Sequence, residues 1–122
     1  MTILLYEINM HICNTQEKGG LTALGKEMIA KAEDVGIIVD LAHASEDLVS
    51  DMLDIVSRPV VVSHTGVRGT CDRGRNLNDY QLQRIKENGG LVGIAYFDEA
   101  VCGSELKNVV DAILHAVKVM GP

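Results

Sequence analysis

Short apolar runs alternate with amphipathic stretches along this chain. The β-branched and aliphatic content of the runs predicts strands buried on both faces, at residues 3–7, 37–41, 60–63 and 91–96. Apolar residues at helical spacing predict helices over residues 22–35 and 45–56, from Asn78 to the glycines at 89–90, and from Ser104 onward. Strands that alternate with such helices imply right-handed crossovers between parallel neighbours. The sequence therefore predicts an α/β fold with a parallel sheet.

The helix ends carry recognisable signals. Ser45 and Asn78 have side chains suited to N-caps, Ser104 is assigned the same role, and Gly36 is expected just beyond the end of the first helix. The last helix has the clearest apolar stripe, which comprises Leu106, Val109, Val110, Ile113, Leu114 and Val117. Four such strand–helix units are compatible with a small open sheet, or with half of an eight-unit barrel, which takes roughly 250 residues.

Composition narrows the class of protein. With 122 residues, 47% of them apolar and 23% charged, the chain is expected to form one soluble domain over residues 1–122. No apolar stretch is long enough to span a bilayer and no signal segment opens the sequence, which favours a cytoplasmic location. The net charge of −6 and the 3% aromatic content argue against a nucleic-acid partner. Three widely spaced cysteines fit neither a disulfide-dense miniprotein nor a zinc knuckle.

Two of the predicted strands lead into a histidine. His43 shares the parity of Leu41, and His64 shares the parity of Val62, so each histidine would extend an apolar column on one face. Because neighbouring parallel strands lie about 4.8 Å apart, the two imidazoles are close enough to share a metal ion. The alternative is that they are unrelated polar residues of two loops.

A basic loop follows the third predicted strand. It contains Arg68, Arg73 and Arg75, and its glycines are expected to make it pliable. A guanidinium offers a planar pair of donors to a carboxylate, so the loop could anchor an anionic substrate. Solvated loop charges are an equally good interpretation of composition alone.

Other polar residues give weaker signals. His11 lies just past the first predicted strand and so faces the same end of the sheet, whereas His115 lies mid-helix and is given no chemistry. The glycine spacing forms no phosphate loop, which disfavours nucleotide binding. No serine lies in a nucleophile-elbow context, so a serine hydrolase is also disfavoured.

Several segments, in the order in which they occur, resemble the renal-type membrane dipeptidases, which are binuclear zinc enzymes on a (β/α)8 TIM barrel. The motifs are Gly20-Leu21-Thr22 with Gly25, Val39-Asp40-Leu41-Ala42-His43-Ala44-Ser45, Pro59-Val60-Val61-Val62-Ser63-His64-Thr65, Arg75-Asn76-Leu77, Asn88-Gly89-Gly90 and Leu91-Val92-Gly93-Ile94. The similarity runs through nearly the whole chain, and it implies four consecutive βα units from the middle of such a barrel.

The resemblance also implies roles for individual residues. His43 and His64 match the two histidines that hold one zinc ion. Arg75, with Asn76 beside it, matches the site that binds the C-terminal carboxylate of the dipeptide. His11 matches the histidine that contacts the scissile carbonyl. Together they imply hydrolysis of dipeptides by a metal-activated hydroxide.

Some parts of the family pattern are not found in this sequence. They are a His-x-Asp pair for the second zinc, a carboxylate that bridges the metals, and a late aspartate. The resemblance therefore implies an internal fragment with at most a partial zinc site, which needs further barrel segments, is inactive alone and tends to form homo-oligomers. Alternatives are another metal-dependent amidohydrolase-type TIM-barrel hydrolase, or a non-catalytic α/β module completed by a partner chain.

The resemblance finally bears on the cysteines. Cys71 and Cys102 occupy positions similar to those where secreted family members carry a disulfide, so the two are expected to lie near each other. Cys13 has no expected partner in the chain.

Overall fold

The computed structural model describes residues 20–122, which form helices around a small parallel sheet. The elements are α1 (Ala23–Asp34), α2 (Glu46–Ile55), β1 (Val61–Thr65), α3 (Asp79–Asn88), β2 (Leu91–Ile94), α4 (Asp98–Val101) and α5 (Leu106–Met120). Since β1 and β2 pair in parallel and α3 connects them, the predicted α/β class is confirmed. The strand predicted at residues 3–7 lies outside the described residues.

The segment at residues 37–41 pairs with β1 on the side opposite to β2. Asp40 and Val61 form a parallel bridge, the Leu41 amide donates to the Val61 carbonyl at 2.8 Å, and the Val61 amide donates to the Val39 carbonyl at 2.9 Å. This pairing is too short to count as a regular strand, but its position agrees with the prediction. Consecutive βα units are therefore neighbours, and their carboxyl ends meet at one edge.

Most predicted helix ends are correct. Ser45 accepts a hydrogen bond from the Leu48 amide, Asn78 accepts one from the Gln81 amide, and Gly36 follows α1 with φ of 81°. A left-handed φ at this position is adopted most readily by glycine, which explains why the helix stops there.

The prediction for the last helix was wrong at its start. Ser104 is not its N-cap, because α5 begins at Leu106 and Glu105 is the capping residue. The Glu105 amide donates to Asn108 Oδ1 at 3.2 Å, so the asparagine satisfies a backbone donor at the helix start. The short helix α4 was not predicted, since four residues are too few to show a period.

The core lies between the sheet and the helices, and α5 contributes the buried Ala112 to it. It is closely packed, and its largest fully buried side chains include Ile29, Leu41, Leu48, Val60, Val62, Leu82 and Ile85. Near its edge, the buried carboxylate of Glu33 accepts hydrogen bonds from the amides of Ser57 and Arg58. This contact joins the end of α1 to the turn that precedes β1.

The prediction that β2 is buried on both faces was wrong. Leu91 is 66% exposed, and the apolar stripe of α5 is also largely open, with Leu114 at 60%. Helix α5 packs against the core through Ala112, but it leaves Leu91 and part of its own stripe exposed. The expected homo-oligomers stay a prediction. Among residues 20–122, no helix has the length and apolar character needed to cross a membrane.

The alternation predicted along β1 is interrupted close to its carboxyl end. Val62 pairs with Val92 and Thr65 pairs with Ile94, so β1 has one residue more than β2 between these pairs. Such a bulge changes the direction of the side chains that follow it. As a result Thr65 is buried, while His64 is only half-buried and does not continue the column of Val62.

Candidate metal and substrate site

The two histidines predicted to converge do meet at the carboxyl edge of the sheet. His43 Nε2 and His64 Nε2 lie 2.6 Å apart. Their ring centroids are 4.7 Å apart and the rings are inclined at 64°. The predicted convergence is confirmed, whereas metal binding by the pair stays a prediction. His11 lies outside the described residues.

His43 occupies a tight turn directly after the bridge at Asp40. The Ala44 amide donates to the Leu41 carbonyl at 3.1 Å, and His43 has φ of 65°. A left-handed φ is unfavourable for a residue with a Cβ, so the surrounding contacts must hold it. Burial, His64 and Arg75 lower the pKa of His43, and Asp40 opposes them. The shift favours the neutral imidazole, which is the form that binds metals.

His64 is oriented by its neighbour in the bulge. Ser63 Oγ lies 2.9 Å from His64 Nδ1. When Nδ1 carries the proton and donates it to this hydroxyl, Nε2 presents its lone pair toward His43. Sequence reasoning had given Ser63 no role, because a contact between adjacent residues on a strand requires the bulge to be known.

Asp40 connects the two segments that carry the histidines. Its Oδ1 accepts hydrogen bonds from the amides of Ala42 and Ser63, both at 3.0 Å. Its Oδ2 is buried and has no hydrogen-bond partner within the described part of the chain. Sequence reasoning missed this residue, although an aspartate before a turn is a typical signal for such a side-chain to backbone bond.

Arg75 lies on the loop after β1 and faces the same edge. Its guanidinium carbon is 4.6 Å from the centre of the Phe97 ring, a distance typical of a cation–π contact. Its Nε is buried and has no hydrogen-bond partner among residues 20–122. Because a buried donor of this kind is costly unless it is paired, the arrangement is suited to an anionic ligand.

Asn76 holds this loop from within. Its Nδ2 donates to the carbonyls of Cys71 and Ala100 at 2.8 and 2.9 Å, and its Oδ1 accepts from the Gly66 amide at 3.1 Å. The side chain is buried and bonds to backbone in each of these contacts. Its predicted part in substrate binding stays a prediction. These bonds favour an indirect part, in which Asn76 holds the loop that carries Arg75.

Two glycines of the loop, Gly66 and Gly69, allow close packing, whereas Gly74 lies in open space, and the expected pliability stays a prediction. A Cβ on Gly66 would lie 1.8 Å from the Ala100 carbonyl oxygen, and one on Gly69 would lie 1.9 Å from the His115 ring. His115 therefore packs against the loop at Gly69, and it pairs with Asp79, the first residue of α3, at 2.6 Å. Arg68 is paired with Glu46, so it is a structural residue of the loop.

Cys71 and Cys102 form a disulfide with a Cα separation of 5.4 Å, which confirms the predicted proximity. The bond joins the arginine loop to the residue that ends α4. It therefore fixes the loop against the segment that contains Phe97. Cys13 lies outside the described residues.

Removing the disulfide is expected to destabilise the fold measurably. The bond closes a separation of 31 residues, so the double substitution Cys71→Ser with Cys102→Ser should lower the free energy of unfolding by about 2–4 kcal/mol. Urea unfolding under oxidising conditions measures the difference. With excess dithiothreitol the difference should nearly vanish, and equal stability under oxidising conditions would contradict the bond.

The donor chemistry of the histidine pair fits a zinc ion. Two imidazole nitrogens bound to tetrahedral zinc at about 2.0–2.1 Å lie about 3.3 Å apart, so the rings need only separate slightly. Within residues 20–122 no group of three or more histidine, cysteine, aspartate or glutamate side chains is placed to hold a metal ion. If the pair binds zinc, it supplies two ligands, and further ligands would have to come from residues outside this pair.

Comparison with known proteins identifies the family of the chain. A family model described as "Membrane dipeptidase (Peptidase family M19)" matches residues 8–122. An uncharacterized dipeptidase of Schizosaccharomyces pombe is 36% identical over 107 residues, which cover 84% of this chain and 26% of that protein. Dipeptidase 3 of Mus musculus is 40% identical over 73 residues, which cover 60% of this chain and 15% of that protein. The chain thus spans only about a quarter of the length of the first relative and about a seventh of the length of the second.

A solved structure shows the same arrangement of elements. A metallo peptidase from Rhodobacter sphaeroides, liganded with a phosphinate mimic of the dipeptide L-Ala-D-Ala, superposes with a TM-score of 0.80 and 26% identity. The match covers 88% of this chain and 32% of that one. The expected relation to part of a larger α/β metallopeptidase fold is confirmed. This chain belongs to the membrane dipeptidase family, peptidase family M19.

Proposed function

We propose that this chain supplies one histidine pair and the carboxylate-binding arginine of a zinc-dependent dipeptidase. The observation that carries the proposal is the 2.6 Å approach of His43 Nε2 to His64 Nε2. The family match favours this function over another amidohydrolase-type activity and over a non-catalytic module. A bound zinc ion would supply a Lewis acid that polarises the scissile carbonyl and activates water.

The arginine gives the proposed site its substrate class. The Arg75 Nε is buried and finds no hydrogen-bond partner in residues 20–122, and the guanidinium is held by Phe97 and by the loop around Asn76. A guanidinium that binds a free carboxylate would favour short peptides with a free C-terminus. The phosphinate dipeptide mimic bound by the Rhodobacter sphaeroides enzyme supports the same substrate class. His11 is proposed to contact the scissile carbonyl, as the resemblance implies.

The proposed site needs residues beyond the histidine pair. Four-coordinate catalytic zinc takes three protein ligands, while the described residues bring two histidines together. We therefore expect residues 1–122, proposed as a single partial barrel domain, to bind zinc weakly and to lack dipeptidase activity. The full-length gene product should be active.

A direct assay tests the proposed function. The 122-residue chain and the full-length gene product are each freed of metal, reloaded with zinc and incubated with unblocked dipeptides. Release of free amino acids should be zinc-dependent in the full-length protein and undetectable in the chain alone. Zinc-dependent turnover by the 122-residue chain would contradict the partial-site proposal, and a full-length protein that is inactive with zinc would contradict the dipeptidase assignment.

A further inference from the structure

Asp40 bonds to the backbone of both segments that carry the histidines. Its Oδ1 accepts from the Ala42 amide, next to His43, and from the Ser63 amide, next to His64. One carboxylate oxygen therefore joins the turn that carries the first imidazole to the bulge that carries the second. The backbone hydrogen bonds between residues 37–41 and β1 end at Leu41, two residues before His43.

Both attached segments are irregular and need such support. His43 has φ of 65°, and His64 follows a register shift in β1. In a regular ladder the direction of each side chain is set by neighbouring backbone pairs, and this support is reduced at a turn or a bulge. A single oxygen that accepts from both segments fixes their relative position directly.

We infer that Asp40 is the positioning residue of the metal site, which holds His43 and His64 in register so that their Nε2 atoms converge. The inference rests on the proposed function where it concerns zinc, and on geometry alone where it concerns the two rings. Acidic residues that orient metal-binding histidines typically act on the ring by a direct hydrogen bond. Asp40 instead acts on the backbone of both histidine-bearing segments.

The first test uses the metal-free 122-residue chain. Nuclear Overhauser cross-peaks between the ring protons of His43 and His64 should be present in the wild type, since the ring centroids are 4.7 Å apart. Asp40→Ala removes the shared acceptor and should abolish these cross-peaks. Asp40→Asn keeps an acceptor oxygen and should retain them. Cross-peaks that persist in Asp40→Ala, or that are lost equally in Asp40→Asn, would overturn the inference.

The second test measures zinc affinity of the same three proteins by competition with a chromophoric chelator. Asp40→Ala should bind zinc about 10–100-fold more weakly, while Asp40→Asn should stay within a few-fold of the wild type. Equal affinity of Asp40→Ala and the wild type overturns a role for Asp40 at the metal site. Absence of zinc binding in the wild type, with the cross-peaks behaving as expected, contradicts the proposed zinc binding by the histidine pair alone and supports positioning by Asp40.

Asp51 provides a matched control for loss of a carboxylate. Its Oδ2 accepts from the Leu21 amide at 2.8 Å and so also joins two segments, but these carry neither histidine. Asp51→Ala should destabilise the fold without changing the ring cross-peaks or the zinc affinity. If Asp51→Ala weakens zinc binding as much as Asp40→Ala, the effect of Asp40 is general stability and the inference is overturned.

Discussion

His64→Ala should lower the zinc affinity of the chain by roughly 100-fold or more, which corresponds to about 2.8 kcal/mol or more of binding free energy. His64 and His43 are the two nitrogen donors that converge at the edge of the sheet, so the variant leaves one ligand where two were present. The substitution is at a half-buried position and removes no core side chain. Zinc titration against a chromophoric chelator measures the change, with thermal unfolding as a check on folding.

His115→Ala is the appropriate control for this experiment. His115 is also a half-buried histidine with a close partner, since its Nε2 lies 2.6 Å from Asp79 Oδ1. It lies on α5, where it supports the arginine loop, and it is not part of the His43–His64 pair. Its variant should lose some stability and keep the zinc affinity. Equal zinc affinity in His64→Ala and the wild type would show that the pair is not a metal site.

The order of the elements could be predicted because each depends on local signals. Caps such as Ser45 and Asn78 bond to amides three residues away. Both partners therefore lie in one short segment, where they can be recognised from the sequence. The convergence of His43 and His64 followed from one further rule, that consecutive βα units place their strands side by side. These features need no knowledge of how distant segments pack.

The remaining features of the site depend on long-range contacts. The bulge before Thr65 is visible only from the pairing of β1 with β2. The contact between Arg75 and Phe97 joins residues in two different loops, and no periodic pattern connects them. Burial of β2 was overpredicted because apolar sequence shows that a strand can be covered, but not which segment covers it.

Arg75→Lys should reduce kcat/KM of the full-length enzyme on unblocked dipeptides by about 10–100-fold, since each tenfold loss corresponds to about 1.4 kcal/mol. Lysine keeps the positive charge, but it loses the planar donor pair and most of the contact with the Phe97 ring. The loss should be only a few-fold on dipeptide amides, because these lack the carboxylate that the guanidinium is proposed to bind. Steady-state kinetics on each dipeptide and its amide measure the two losses.

Arg84→Lys separates this effect from a general effect of replacing an arginine near an aromatic ring. Arg84 lies on α3. Its guanidinium carbon is 5.9 Å from the centre of the Tyr80 ring, and its Nη2 is paired with Asp54 at 2.6 Å. Its variant should leave kcat/KM on dipeptides and amides within a few-fold of the wild type, because surface pairs of this kind contribute little. A matching loss on dipeptides and amides in Arg75→Lys would show that Arg75 does not recognise the carboxylate. A loss confined to the unblocked dipeptides would place carboxylate recognition at this guanidinium, whose buried Nε has no hydrogen-bond partner among the described residues.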